Sequence, residues 1–267
     1  VFPSSPAHSY PSRYGEYAGE VLIIISPGKE IYGSSKMPIS MHWHLLPEDP
    51  LLELILGISL LGYVYSVVIG TKFLYARMIG RGVKHNVAVY YNRKIIHVLA
   101  GGVIAILTPF VFSSPLIPFS LAMVLAISTW IPHYRGKLMP WFQVEENMFE
   151  VNFCVMWGIS VLATWLLLGD PLYALIPITF MAFGDAATGF TRNMLYQRRT
   201  KSWWGNLAMF AVTAPIGYAL LGSWGILLAG VASIVEHFEF KPIDDNVLIS
   251  LTGIIGVALI NYLGLLS

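Results

Sequence analysis

A single cysteine, Cys154, stands in this chain of 267 residues, and it sits in an apolar run. No intramolecular disulfide is possible, and a zinc site has no thiolate partner to draw on. Cys154 therefore reads as a small buried hydrophobe. Charge is scarce as well. Asp, Glu, Lys and Arg make up 12% of the residues, against about 25% in an ordinary soluble domain. The net charge of +1 says little about partners, and nucleic acid is not expected among them. The N-terminal stretch lacks the basic-then-apolar pattern of a signal peptide. The Gly-x-x-x-x-Gly-Lys-Ser/Thr loop that cradles phosphates is missing too.

What is present is apolar. Hydrophobic residues make up 56%, and the mean hydropathy is +0.66. A fold this apolar must turn its outer face to lipid. From Leu51 onward, long apolar runs alternate with short polar breaks. Eight spans are predicted, at about 51–70, 95–112, 116–132, 151–168, 172–190, 205–222, 224–240 and 247–266. Each must be helical, because lipid offers no partner to backbone groups. The expected fold is all-α and polytopic, with a membrane-embedded domain over 51–267. The weakest boundary falls in the nearly unbroken apolar stretch 207–235, where Gly222-Ser223 favours two spans over one.

Residues 1–50 are different in kind, rich in Pro, Ser, Gly and Tyr. Gly19–Tyr32 reads as a strand, a Pro27-Gly28 turn and a second strand. Met37 or Met41 is an alternative start, and no function is placed in this segment.

Thirteen of the sixteen Lys and Arg residues fall in four inter-span segments: 71–94, 133–150, 191–204 and 241–246. The intervening turns near 113–115, 169–171 and 222–223 hold none. Eight spans put all four basic segments on one side. The positive-inside rule makes that side cytoplasmic and puts both termini outside.

Most of the chemistry-bearing residues fall on the same basic side. Arg93 and Lys94 alone would serve as snorkelling anchors, but His97 follows Arg93 by four residues and shares its helix face. Asp185, Thr188, Gly189 and Arg192 make one polar, small-residue stripe; helix packing explains the small residues but not the acid. Thr200, Lys201, Ser202, Gly205 and Asn206 open a helix, where cations, hydroxyls and exposed N–H groups suit an anion. Glu236, Asp245 and Asn246 offer the hard oxygens that suit Mg²⁺ held together with phosphates. Glu145, Glu146, Asn147 and Glu150 form a vaguer group, with Glu146 and Glu150 expected on one helix face. Cations for phosphates and acids for a metal at one interface point to phosphoryl or nucleotidyl transfer onto a lipid head group.

Arg93-Lys94-x-x-His97, Gly184-Asp185 with Gly189, Lys201-Ser202-x-x-Gly205, and Glu236 followed by Asp245-Asn246 together resemble the dolichol kinase, phytol kinase and CTP-dependent diacylglycerol kinase group. That group belongs to the superfamily of the phosphatidate cytidylyltransferases. The resemblance implies CTP- and Mg²⁺-dependent phosphorylation of a long-chain isoprenoid alcohol, with the membrane lipid and the nucleotide as partners. By carry-over, Asp185, Lys201 and His97 would be catalytic. Arg93, Lys94, Lys201, Ser202, Gly205 and Asn246 would hold the nucleotide phosphates, and Arg192 of the polar stripe is expected to join them. Asp185, Glu236 and Asp245 would hold the metal. Where the family has an acid before the third motif's glycine, this chain has Trp204. A cytidylyltransferase is the alternative enzyme, although that signature is missing. A transporter is the non-enzyme alternative; it would place polar groups near mid-membrane, whereas here the span centres are apolar.

Overall fold

The computed structural model describes residues 45–198, 200–238 and 243–266. Among these residues there is no strand, only an isolated bridge between Val144 and Asn147. The expected strand–turn–strand at 19–32 and the alternative starts at Met37 and Met41 lie outside the described residues.

Eight apolar helices follow one another: α1 (Pro50–Gly80), α2 (His85–Val111), α3 (Leu116–Tyr134), α4 (Phe149–Leu168), α5 (Pro171–Tyr196), α6 (Trp203–Leu221), α7 (Ser223–Val235) and α8 (Asp245–Tyr262). Seven are long and apolar enough to cross a membrane, while α7 has 13 residues, about 20 Å of helix. Each helix matches an expected span. Large apolar side chains stay exposed along α1, including Leu51, Ile55, Ile58 and Phe73, as contact with lipid rather than water requires. The chain is an all-α polytopic membrane protein.

The breaks between helices have local causes. Gly169 ends α4 at φ 69, a left-handed conformation that costs glycine little. The Asp170 side chain then caps Leu172 N at 2.8 Å. Gly222, at φ 58 and ψ −141, occupies a region essentially reserved for glycine, so 207–235 is two helices and not one. The hairpin these form closes tightly, because a Cβ on Gly217 would lie 2.7 Å from the backbone carbon of Gly225.

The largest departure from the expected boundaries lies between the first two spans. The segment 71–94 is mostly helix: α1 continues to Gly80 and α2 begins at His85. Falling hydropathy marks where a helix leaves lipid, not where it ends. Lys72 through Ile79 are acceptable helix formers, and the first breaker is Gly82 at φ 82. Arg93 and Lys94 consequently sit in the body of α2, buried within the protein, and not at a snorkelling helix end.

Two helices change pitch. α2 contains a π-helical turn at His97–Gly102, and α5 contains one at Phe180–Gly184. The two turns pack together, and a Cβ on Gly102 would meet the Phe183 ring at 2.5 Å. π turns recur at functional sites because they re-aim the side chains next to them; here those are His97 and Asp185. α5 is the central helix, with 72% of its apolar window buried against 17% for α1 and α3.

Candidate functional site

Cross-links between helices gather the polar side chains at one end of the bundle. The first half of α2, the end of α5, the start of α6, the residue after α7 and the starts of α4 and α8 all meet there. Asn193 Nδ2 donates to Val87 O at 3.2 Å, Asn152 Nδ2 to Asp244 Oδ2 at 3.0 Å, and Asn246 Nδ2 to Phe149 O at 3.2 Å.

Asp185, Glu236 and Asp245 are buried together, and one carboxylate oxygen from each lies within 4.8 Å of the other two. These are the three residues the sequence assigns to a metal. Lys94 Nζ donates to Asp185 Oδ2 at 2.5 Å, and His97 Nδ1 stands 3.2 Å from the same oxygen. Arg192 grips Glu236 through two parallel bonds of 2.8 Å. Lys201 Nζ bridges Glu236 Oε1 at 3.0 Å and Asp245 Oδ2 at 3.2 Å, and also donates to Glu236 O at 2.8 Å. Burial works against the Lys201 ammonium, but Asp245 and then Glu236 outweigh it and hold its pKa above the ordinary lysine value.

Glu236 has little capacity left. A carboxylate offers about four lone-pair sites. Arg192 and Lys201 donate to Oε1, while Arg192 and Asn206 donate to Oε2. Burial nevertheless pushes the Glu236 carboxyl above its usual pKa range, against the pull of Lys201 and Arg192. Arg192 is similarly engaged, since Nε reaches Ser202 O at 3.2 Å and Nη2 reaches Asn206 Oδ1 at 3.0 Å. This network ties α5, α6 and the end of α7 together.

The motif glycines make room for these cations. A Cβ on Gly189 would strike the Lys94 stem, and one on Gly205 would strike the Arg192 guanidinium. The stripe Asp185, Thr188, Gly189, Arg192 therefore faces α2 on one flank and α6 on the other. Trp204, at the position where the resembled family has an acid, is 61% exposed and lies outside the cluster.

Other expected residues retain unused bonding capacity. Ser202 is the N-cap of α6, yet its hydroxyl makes no capping bond. The Ser202 and Thr200 hydroxyls, the Asn246 Oδ1 and the Arg93 Nε are all buried without a hydrogen-bond partner. Asp245, Asn246 and Asp185 side chains fit a hard divalent cation, because oxygen is the donor such ions take and Asn246 Oδ1 is an orphaned acceptor. Arg93 stacks over the Phe149 ring at 4.0 Å and lines a polar pocket of about 630 Å³ shared with Tyr90, Asn193 and Arg198. His97, one turn further along α2, lines a separate apolar cavity.

The fifth group separates. Glu145 and Glu146 lie in a turn lining the polar pocket, while Glu150 is in the first turn of α4 and points inward. The expected shared helix face for Glu146 and Glu150 is not formed, because α4 begins only at Phe149. Asn206, expected beside the Gly205 motif, is a partner of Arg192. Sequence reasoning missed His133 and Gln143, which both contact Glu150; nothing in the sequence pointed to them.

Fold and site thus define a polytopic helical membrane protein with a buried acid–base cluster at one end of its bundle. Comparison with known proteins finds no matching family model, no matching curated protein and no matching solved structure.

Proposed function

We propose that the protein is a CTP-dependent kinase that phosphorylates a long-chain, isoprenoid-type alcohol at the cytoplasmic face of the membrane, with both termini outside. The observation that carries this reading is the split role of α2. Arg93 lines the polar pocket and His97 the apolar cavity, one turn apart, and Asp185 lies against His97. A polar pocket of about 630 Å³ falls within the usual range for small-molecule and cofactor sites. Arg93 Nε, buried without a partner there, is a donor suited to phosphate. The clustering of Lys and Arg supports the cytoplasmic assignment.

In this mechanism the nucleotide enters the polar pocket and its phosphates reach Arg93, Lys201 and the free Ser202 hydroxyl at the start of α6. The alcohol arrives sideways, its chain remaining in the apolar region. Asp185 takes the hydroxyl proton as the alcohol oxygen bonds to the γ-phosphorus. The bond from that phosphorus to the β–γ bridging oxygen breaks, and CDP leaves. Lys201 and Arg93 stabilise the charge on the transferred group. Lys94 and His97 hold Asp185 in place, and Arg192 with Glu236 hold Lys201. A Mg²⁺ held by Asp185, Asp245 and Asn246 would supply further neutralisation of the phosphates. Glu236 acts instead as a scaffold, since its acceptor positions are filled.

The test is turnover by the purified full chain in nanodiscs, with CTP labelled at the γ-phosphate and a polyprenol. Label is expected in the lipid. In a parallel assay with a lipid phosphate, label reaching lipid from α-labelled but not γ-labelled CTP would mean cytidylyl transfer, and no γ-labelled lipid with CTP, ATP, GTP or UTP against polyprenol or diacylglycerol would remove the kinase reading.

A further inference from the structure

The apolar cavity beside His97 has a volume of about 110 Å³ and lies among α1, α2, α3 and α4. Its wall follows α1 from Gly57 to Val68, about 16 Å at 1.5 Å per residue, which is half the thickness of the hydrocarbon core. Phe112 and Leu121 lie at the Gly57 end. Beyond hydrocarbon, the lining holds His97, Thr129, Glu150, the Cys154 thiol and Trp157, whose indole N–H donates to Gly101 O at 3.1 Å. The Thr129 hydroxyl is taken by the carbonyls of Leu125 and Ala126, both at 3.0 Å. Glu150 differs. Gln143 Nε2 donates to its Oε1 at 2.8 Å, and His133 Nε2 lies 2.5 Å from that same oxygen. Its Oε2 is buried with no partner, on a side chain only 9% exposed.

A buried carboxylate oxygen in an apolar wall is costly unless a donor reaches it. The position of this oxygen is also fixed, because the contacts to Oε1 hold the group. Phe153, one turn beyond Glu150 on α4, stacks on His97 with ring centroids 4.0 Å apart, so Glu150 and His97 flank the same end of the cavity. An apolar slot of this size, with one fixed, unanswered acceptor at its polar end, fits the last few carbons of a hydrocarbon chain that ends in a hydrogen-bond donor.

We infer that Glu150 is the specificity residue for the lipid acceptor: its Oε2 accepts the hydroxyl hydrogen of a long-chain alcohol whose head end enters this cavity, before that proton passes to Asp185 in the transfer step. The inference rests on the kinase reading for the choice of an alcohol among donor-bearing lipids. Glu150 admits the free alcohol, gives nothing to an ether, and repels the phosphorylated lipid by like charge, which favours release of the product.

The test needs no nucleotide. The full chain in nanodiscs is photolysed with a long-chain alcohol bearing a diazirine in its chain, and the cross-linked peptides are mapped by mass spectrometry. Unlabelled alcohol, its methyl ether and its phosphate monoester serve as competitors. Cross-links are expected within 57–68 and 150–157, with ether and phosphate competing about tenfold or more worse than the alcohol, the loss expected for a hydrogen bond to a charged group. Glu150→Gln keeps the side chain's shape but turns an amide N–H₂ toward the cavity, so it should erase the preference for alcohol over ether while leaving the melting temperature near that of wild type. Cross-links elsewhere, or a preference that survives Glu150→Gln, overturn the inference even if the chain phosphorylates polyprenol. If the Glu150-dependent preference is found and no nucleotide supports turnover, the kinase reading falls and the binding site stands.

Discussion

Removing the Glu236 carboxylate should be among the most damaging single changes in this protein. Glu236 is fully buried and receives four donated hydrogen bonds, two from the equally buried Arg192 and one each from Lys201 and Asn206. Glu236→Ala leaves the Arg192 guanidinium without its counter-charge inside the bundle. Breaking a buried pair in this way costs about 3–5 kcal/mol, a large share of a typical folding stability of about 5–15 kcal/mol. Arg192→Met alone should cost a similar amount, because it strands the carboxylate. The double variant Arg192→Met with Glu236→Leu removes both charges and refills the volume. Apolar replacement of a buried pair is often neutral or stabilising, although Lys201 and Asn206 lose a partner here, so this variant should lie within about 2 kcal/mol of wild type. The two changes would then couple by at least about 4 kcal/mol. Equilibrium unfolding in mixed micelles measures all three. Glu236→Ala within about 1 kcal/mol of wild type, or single costs that simply add in the double variant, would refute the argument that the pair locks α5, α6 and α7. The double variant should also be stable but inactive, since Lys201 has lost the oxygen that aims it.

Asp185→Asn should abolish lipid phosphorylation and, because it strands the buried Lys94 ammonium, should also lower stability by about 3–5 kcal/mol; adding Lys94→Met should restore the thermal melt but not turnover. Gly205→Ala puts a methyl against the Arg192 guanidinium and Thr188, and is expected to cost about 1–3 kcal/mol by overpacking, read from the same melts. Arg93→Gln should raise the KM for the nucleotide about tenfold or more while leaving that for the lipid unchanged, as loss of a charge-assisted phosphate contact implies. Stability should also fall as pH rises from 4 to 6. Burial, and then Asp245, lift the Asp244 carboxyl to about 6, so over that interval the unfolded chain releases its proton and the folded one keeps it. The loss should reach about 3 kcal/mol above pH 6, and Asp244→Ala should flatten the profile.

Much of this architecture was legible because lipid makes composition informative. A run of apolar residues long enough to cross must be a helix, and the glycines at 169 and 222 mark turns that no other residue forms as cheaply. The ends of helices in water were not legible, since Lys72 to Ile79 continue α1 without an apolar signal. Nor were the π turns at His97–Gly102 and Phe180–Gly184, which no residue pattern encodes. Partners distant in sequence were also hidden. Glu53, at the opposite end of the bundle, accepts from Ser113 N at 3.2 Å and the Ser113 hydroxyl at 2.5 Å, 60 residues away, and neither residue stands out alone.

The motif residues show a subtler limit. Spacing places Asp185, Thr188, Gly189 and Arg192 on one face, and it places Lys201 before Gly205. It does not say why glycine is required. The structure makes the reason mutual: Gly189 lies against the stem of Lys94, and Gly205 against the guanidinium of Arg192. A cation can be enclosed among membrane helices only if its acid is within reach. Lys94 reaches Asp185 across the surface of α5, and Arg192 reaches Glu236 across the surface of α6. In both cases a Cβ would stand in the path. The glycines and the cations of this sequence are therefore single devices divided between two helices, and replacing either half should disable the other.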